Sequence, residues 1–388
     1  MILYWSSIVG AFISVVGCGY LVGATLLTGR FARKASPTTR ASMSGVTILK
    51  PLHGAELGLL ENLSSFCTQN YPGPVQIVLG VQDSRDEAIA VVERLRAEHA
   101  ASHFDLVVDA TSYGLNHKVS NLVNMERRAE HEIVVVADSD MRVDPGYLSR
   151  IVAALERRDV GAVTCLYHGF AATGIWSRIA ALGINAHFLP NVVVGLGLGL
   201  AKPCFGSTIA CRRKVLAEIG GFICVADCLA DDYAIGAALR GRGYRIAVLP
   251  ITVGHLCGEM SARELWQHEL RWARTIRTVD AVGYAGLIVT HAFPLAIIAA
   301  LAGIATLEPA IAIGLGTASF GCRLALLRQV ERTFGLPPQS YWLLPLRDLL
   351  SFAVFTSSFL GRNASWKGRP YRFVSDGTLV ASGSSSRP

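Results

Sequence analysis

The sequence predicts an α/β domain built on a mainly parallel sheet, with transmembrane helices at both ends of the chain. Three observations predict it. Short β-branched runs alternate with helical patterns between residues 46 and 280. An uncharged apolar stretch fills residues 8–28, and three more crowd residues 282–361. Charge is scarce: 51% of the 388 residues are hydrophobic and 17% charged, where a soluble domain carries about 25% charged.

Residues 8–28, IVGAFISVVGCGYLVGATLLT, are long enough at ~1.5 Å per residue to cross a bilayer core of ~30 Å. A cleaved signal peptide needs a basic n-region, and no Lys or Arg precedes Arg30. Residues 1–29 are therefore expected to be an uncleaved anchor. Arg30, Arg33, Lys34 and Arg40 follow it in a basic linker, 30–45. The positive-inside rule places that linker, and the domain after it, in the cytoplasm.

The net charge of +7 is concentrated in such flanks, with Arg362, Lys367, Arg369 and Arg372 in the tail 362–388. These clusters point to anionic membrane lipids as partners. Nucleic acid would need a dense basic stripe, which the chain lacks. The nine cysteines are odd in number and irregular in spacing, which excludes a disulfide framework. Cys224 and Cys228 have no second pair at zinc-ligand spacing. The cysteines are read as small reduced hydrophobes.

The middle segment, 46–280, is expected to be one domain ending in an amphipathic helix. Its strands are VTILK (46–50), QIVLGV (76–81), FDLVVD (104–109), EIVVVAD (132–138), VGAVT (160–164) and YRIAVL (244–249). Helical patterns lie at 86–99, 118–130 and 145–157. Such alternation implies a sheet covered on both faces. No Gly-x-Gly-x-x-Gly follows the first strand and no Walker loop is present.

The membrane region, 281–361, holds three apolar segments: 282–307, 309–327 and 341–361. The first two read as a helical hairpin turning at Glu308-Pro309. The third contains Arg347 and Asp348, which are costly in lipid. Three crossings would also leave the basic tail outside, against the charge rule. Residues 341–361 are therefore read as re-entrant or interfacial.

In open α/β sheets, ligands bind beyond the carboxyl ends of the strands. Lys50, Pro51 and His53 follow the first strand, Gln82 and Asp83 the second, and Asp138 and Asp140 the fourth. Two carboxylates two residues apart suit Mg²⁺ or Mn²⁺ and a diphosphate, or else a solvated turn. Asp231 and Asp232 open a helical pattern, either as caps or with a general base among them. Ser261 and Glu264 form a capping box ahead of a helix with Arg271, Arg274 and Arg277 on a basic ridge. That helix fits the headgroup layer and is compatible with a phosphate-facing arginine. Residues 175–200 carry one charge; they are a buried helix and loop or a membrane-dipping surface that admits a lipid.

The order Asp83, Asp138-Ser139-Asp140, Asp232, Arg271-Trp272 resembles family-2-type glycosyltransferases with the GT-A (nucleotide-diphospho-sugar transferase) fold. It is more similar to the ceramide glucosyltransferase family, family 21. VTILKPLHG, GVQDSRDEAIAVV, GLNHKVSNL, ADSDMRV, CFGSTIACRRKVL, LADDYAIGAALRGRGYRI and SWKGRPYRF look like that family's signatures.

The resemblance implies a UDP-sugar donor, a lipid acceptor and Mg²⁺ or Mn²⁺. Asp83 would contact uridine, and Asp138 and Asp140 would hold the diphosphate, Asp140 as the more direct metal ligand. Asp232 would be the base, and Arg271-Trp272 would belong to a (Gln/Arg)-x-x-Arg-Trp motif closing over the diphosphate. Lys50, Lys118 and Asn121 match donor-side positions; His187 and His268 fall on the acceptor side. The sequence departs from the motif's usual Gln or Arg at His268, and Asp231 stands where Glu is frequent.

The His-Glu-Leu-Arg-Trp form and LPNVVVGLGLGLAKPCFGS resemble the bacterial hopanoid-associated branch. This implies transfer of N-acetylglucosamine from UDP-GlcNAc to bacteriohopanetetrol at the bacterial inner membrane. Ceramide glucosylation from UDP-glucose is the alternative. A processive polysaccharide synthase would need more spanning helices, and a membrane scaffold would not need these polar positions.

Overall fold

The computed structural model describes residues 2–31, 42–303 and 309–361, and the backbone of the strands Asn363–Trp366, Arg369–Phe373 and Leu379–Ala381. Arg33, Lys34, Arg40, Arg362, Lys367 and Glu308 of the expected turn lie outside the described residues. The chain packs as two compact units. The sheet unit is Ala35–Ala172, Lys202–Gly258 and Gly377–Pro388; the helical unit is Met1–Lys34, Thr173–Ala201 and Glu259–Asp376. The segment 46–280, expected as one domain, thus gives Thr173–Ala201 and the residues from Glu259 onward to the helical unit.

The sheet unit holds eight strands: β1 (Val46–Pro51), β2 (Val75–Val81), β3 (His103–Val108), β4 (Ile133–Val136), β5 (Met141–Arg142), β6 (Val160–Ala171), β7 (Ile209–Arg212) and β8 (Arg245–Cys257). Their order is β3-β2-β1-β4-β7-β6-β8-β5. The first four run parallel, as does the β6–β8 pair. β7 runs against β4 and β6, and β5 against β8.

β1 and β4 are buried along their whole length because both faces of the sheet are covered. The helix His117–Glu126 packs Val119, Leu122 and Met125 onto this core. β6 and β8 run well past the expected 160–164 and 244–249, to Ala171 and Cys257. Their pairing slips between Cys165 and Leu166, where β8 carries Pro250 and Ile251 as extra residues. Proline has no N–H for the ladder, so a bulge is where a long strand tolerates it.

Among the described residues, three helices of the helical unit are long and apolar enough to cross a membrane: Trp5–Phe31, Gly174–Gly197 and Pro309–Phe334. The N-terminal helix, Ile2–Phe31, presents small residues to its neighbour Ala292–Ala302. Ser7 Oγ donates to the Ala299 carbonyl and Ser14 Oγ to the Ala292 carbonyl, each at 3.0 Å. A Cβ on Gly17 would lie 2.6 Å from the Val289 carbonyl oxygen. Small residues let helices approach this closely where lipid supplies no hydrophobic drive.

The expected span 282–307 is instead broken. Ala281–Thr290 and Ala292–Ala302 meet at a 66° bend. Pro294 explains it: the ring cannot follow a continuous helix and gives no N–H to the Thr290 carbonyl four residues back. In the second span, Ile184–Phe188 forms a π-helical turn ahead of Pro190, which likewise offers no N–H to the Ala186 carbonyl. Arg323 satisfies both carbonyls, donating from one guanidinium nitrogen to Ala186 at 2.8 Å and from the other to Thr290 at 2.5 Å.

Asp348 neutralises Arg323, with Oδ1 3.2 Å from Arg323 Nε. Arg347 pairs with Glu269, its second nitrogen at 2.7 Å from Oε2, and with Ser351. The charges that make 341–361 costly in lipid are therefore buried and paired within the helical unit. The helix there, Leu344–Ser358, has 15 residues, about 22 Å, too short to cross a ~30 Å core.

Candidate active site

The parallel strands β1, β2 and β4 end on one edge, and the candidate residues of the sheet unit gather there. Lys50 lies on β1 and is fully buried. Its Nζ donates to the Asp138 carbonyl oxygen at 2.5 Å and stands 4.0 Å from the Phe66 ring centroid. Burial pulls its pKa down to about 7, against the carboxylates of Asp140, Asp138 and Glu56. Lys50 therefore pins the backbone of the turn after β4.

Lys118, on the helix His117–Glu126, reaches the same turn from its side. Its Nζ lies 2.6 Å from Asp138 Oδ1 and 3.3 Å from Asp231 Oδ2. Burial opposes the charge, but the two carboxylates outweigh it and raise the pKa. Asn116 caps that helix through the Val119 N–H, and its Nδ2 lies 3.4 Å from Asp231 Oδ1.

Asp140 is fixed by β5, whose Met141 pairs with His255 on β8. The Asp140 carbonyl accepts the Leu256 N–H at 3.0 Å, and Asp140 Oδ2 lies 3.4 Å from His255 Nδ1. Burial raises the Asp140 pKa, opposed by His255. Asp140 Oδ1 is shielded from solvent and has no hydrogen-bond partner among the described residues. The Asp140 carboxylate, with its shielded Oδ1, and the His255 imidazole are donors that suit a divalent cation, while Asp138 Oδ1 is turned to Lys118. Two ligands ~2.1 Å from an octahedral ion stand ~3.0 Å apart when adjacent, near the 3.4 Å between Asp140 and His255. That distance is long for a hydrogen bond.

Asp231 and Asp232 open the helix Asp231–Gly241, whose N-cap is Ala230. Neither is the cap. Asp231 turns to Lys118 and Asn116. Asp232 Oδ2 accepts the Gly206 N–H at 2.9 Å and Oδ1 the Tyr233 N–H at 2.7 Å. Burial, with Asp231 beside it, pushes the Asp232 pKa up to about 6. A carboxylate near that value can hold a proton at moderate cost, which suits a general base.

Gly206 joins the two halves of the edge. Its carbonyl accepts the Asp138 N–H at 3.2 Å while its N–H holds Asp232. A Cβ there would lie 2.7 Å from Asp138 Oδ2 and 3.1 Å from Lys118 Nζ. Only glycine fits without displacing them.

The remaining donor-side candidates differ in kind. Asp83, beyond β2, is exposed; its Oδ1 accepts the Arg85 N–H at 2.9 Å, which lowers its pKa. Asn121 is buried and donates to the Gly80 carbonyl at 2.8 Å, so its amide braces β2.

A family model described as glycosyl transferase family 21 matches residues 9–379. The chain belongs to glycosyl transferase family 21. Among curated relatives, ceramide glucosyltransferase 1 of Caenorhabditis elegans is 25% identical over 238 residues, 61% of this chain and 50% of the relative. The ceramide glucosyltransferase of Komagataella phaffii is 30% identical over 134 residues, 33% and 26% of the two chains. The chain spans about half the length of the first of these and about a quarter of the second. A mannosyltransferase from Pyrobaculum calidifontis, solved with GDP-Man and Mn²⁺, superposes with a TM-score of 0.55 at 22% identity, covering 90% of this chain and 99% of that one. The fold is of the GT-A type.

The other family 21 candidates lie in the helical unit. Arg271 and Trp272 sit on the helix Ala262–Val279, and burial pulls the Arg271 pKa down to about 10. Ser261 Oγ accepts the Glu264 N–H at 3.2 Å, while Glu264 reaches the N–H of Met260, one residue before the cap. This is a capping box displaced by one residue. His268 Nδ1 lies 2.6 Å from Glu259 Oε1. His187, in the π-helical turn, is buried with Nε2 2.7 Å from Asp348 Oδ1. His255, Gly206 and Asn116 carried no signal in isolation; Gly206 sits within the CFGSTIACRRKVL signature, and His255 emerges only through the β5–β8 pairing.

Proposed function

We propose that this chain is a membrane-bound inverting glycosyltransferase that moves a sugar from a UDP-sugar to a lipid hydroxyl. The observation that carries the reading is the convergence of Lys118, Asp138, Asp231 and Asp232 around Gly206 at the ligand edge of the sheet. Asp232 takes the proton of the acceptor hydroxyl as its oxygen attacks the anomeric carbon and the bond to UDP breaks. Asp83 receives the uridine. Lys118 presents a fixed positive charge to the diphosphate.

Asp138, Asp140 and His255 would hold Mg²⁺ or Mn²⁺. When bound there, the ion offsets negative charge on the leaving diphosphate. The apolar helix Gly174–Gly197 and the span Trp5–Phe31 hold the protein at the membrane where the acceptor resides. The basic run after residue 28 supports a cytoplasmic sheet unit at a bacterial inner membrane.

The phrase LPNVVVGLGLGLAKPCFGS supports UDP-GlcNAc as donor and bacteriohopanetetrol as acceptor. Curated relatives named ceramide glucosyltransferases favour UDP-glucose and ceramide as a second reading. Thermal unfolding of the purified chain tests the common claim. UDP-sugar should raise the midpoint, and more so with Mn²⁺ or Mg²⁺. No shift with either donor would favour a scaffold.

A further inference from the structure

Asp138, Asp140 and Asp232 bring acceptors to the ligand edge of the sheet unit, and ionised carboxylates offer no hydrogen to a substrate oxygen. Lys118 Nζ is engaged by Asp138 and Asp231. A neutral donor packs among these residues. Tyr167 lies on β6 and is 9% exposed. Across the β6–β8 pair it stands opposite Val253, with His255 two residues further along. Its ring centroid is 5.8 Å from that of His255. The Phe205 ring stands edge-on to it, also at 5.8 Å. Thr164 Oγ1 accepts the Phe205 N–H at 2.9 Å. Phe205 in turn precedes Gly206, which holds both Asp138 and Asp232. Tyr167 therefore packs against a neighbour of each half of the edge: the imidazole beside Asp140, and the turn that fixes the candidate base.

A phenol is a neutral hydrogen-bond donor at physiological pH. The carboxylates of Asp232, Asp140 and Asp138 all act on this one, and with burial they raise its pKa further. When a sugar leaves a diphosphate, the electron pair of the breaking bond stays on the phosphate oxygen. A donor aimed at that oxygen gains strength as the charge develops. We infer that Tyr167 is a further catalytic residue, its hydroxyl donating to the oxygen that joins sugar to diphosphate as that bond breaks. The phenol shares its proton with the oxygen and does not give it up; the acceptor's proton goes to Asp232. The inference rests on the glycosyltransferase reading above and uses residues of the sheet unit alone. The competing role is a brace that holds the His255 ring.

The test compares Tyr167→Phe with the wild-type full chain in detergent. The substitution removes one oxygen and keeps a ring against Phe205 and His255. Turnover is read as UDP released from UDP-GlcNAc or UDP-glucose in the presence of bacteriohopanetetrol or ceramide. Mn²⁺ affinity is read by electron paramagnetic resonance. The kcat should fall roughly ten- to a hundredfold, the scale of one hydrogen bond to a charged group. Donor KM and Mn²⁺ affinity should stay at their wild-type values. A wild-type kcat in Tyr167→Phe overturns the inference. So does a rise in donor KM at unchanged kcat, since the contact would then be as strong in the ground state as in the transition state. A parallel loss of Mn²⁺ affinity overturns it as well, and leaves Tyr167 as the brace for His255. A wild-type chain that releases no UDP overturns the glycosyltransferase reading itself, which separates the two failures.

Discussion

The Gly206 amide donates a 2.9 Å hydrogen bond to Asp232 Oδ2. The carbonyl of the same residue accepts from the Asp138 amide. One glycine thus sets the distance between the carboxylate on the diphosphate side and the candidate base. Gly206→Ala would push a methyl group to 2.7 Å from Asp138 Oδ2. We expect turnover to fall at least ~100-fold, since ~1 Å misplacements carry that cost. The loss of stability should be only ~1–3 kcal/mol. Steady-state kinetics beside thermal unfolding checks both.

Asp232→Asn removes the base, and its single side-chain oxygen can keep one of the two backbone hydrogen bonds, to the Gly206 or the Tyr233 N–H. Turnover should drop ~10²–10⁴-fold, with UDP affinity nearly unchanged. In the wild type the base must be unprotonated. Because its pKa is raised to about 6, the rate should fall as pH drops through about 6 and level off above it. A pH–rate profile without that acid limb contradicts the assignment.

Asp140 and His255 should act together on metal. Asp140→Asn and His255→Ala should each weaken Mn²⁺ binding by ~10-fold or more, measured by electron paramagnetic resonance of free Mn²⁺. Of the two, His255→Ala should reduce Mn²⁺ affinity more than Mg²⁺ affinity, because imidazole discriminates against the harder ion. Equal losses would leave His255 as a brace for Asp140 rather than a ligand.

Arg323 and Asp348 predict a stability effect independent of catalysis. Arg323→Met takes the guanidinium from Asp348, leaving that carboxylate its His187 contact, and strands the Ala186 and Thr290 carbonyls; it should cost ~3–5 kcal/mol. Adding Asp348→Leu should recover part of that loss, because the buried charge without its cation goes, while the carbonyls stay unbonded and His187 loses its partner. Denaturation in detergent, comparing the single with the double variant, decides it.

The aspartates at 138, 140 and 232 were legible because strand ends and motif order are properties of the sequence. Their partners were not. β7 is four residues, Ile209–Arg212, and is a strand because β4 and β6 flank it. β5 is two residues and matters because it carries His255 to Asp140. The capping expected of Asp231 and Asp232 gave way to contacts with Lys118 and Gly206, which lie far off in sequence.

The membrane region shows the same limit. Composition marks 282–307 as apolar, and Pro294 breaks it. The cost of Arg347 and Asp348 in lipid was readable. Their burial against Glu269, Arg323 and His187 depends on helices distant in the chain.

The central claim is transfer of a sugar from UDP to a lipid. Its most direct measurement incubates the purified full chain with Mn²⁺ and labelled UDP-GlcNAc or UDP-glucose, each with bacteriohopanetetrol or ceramide. The account predicts label in the lipid phase for at least one pairing, and none with Asp232→Asn. Absence of labelled lipid in every pairing, or equal label with Asp232→Asn, would contradict it.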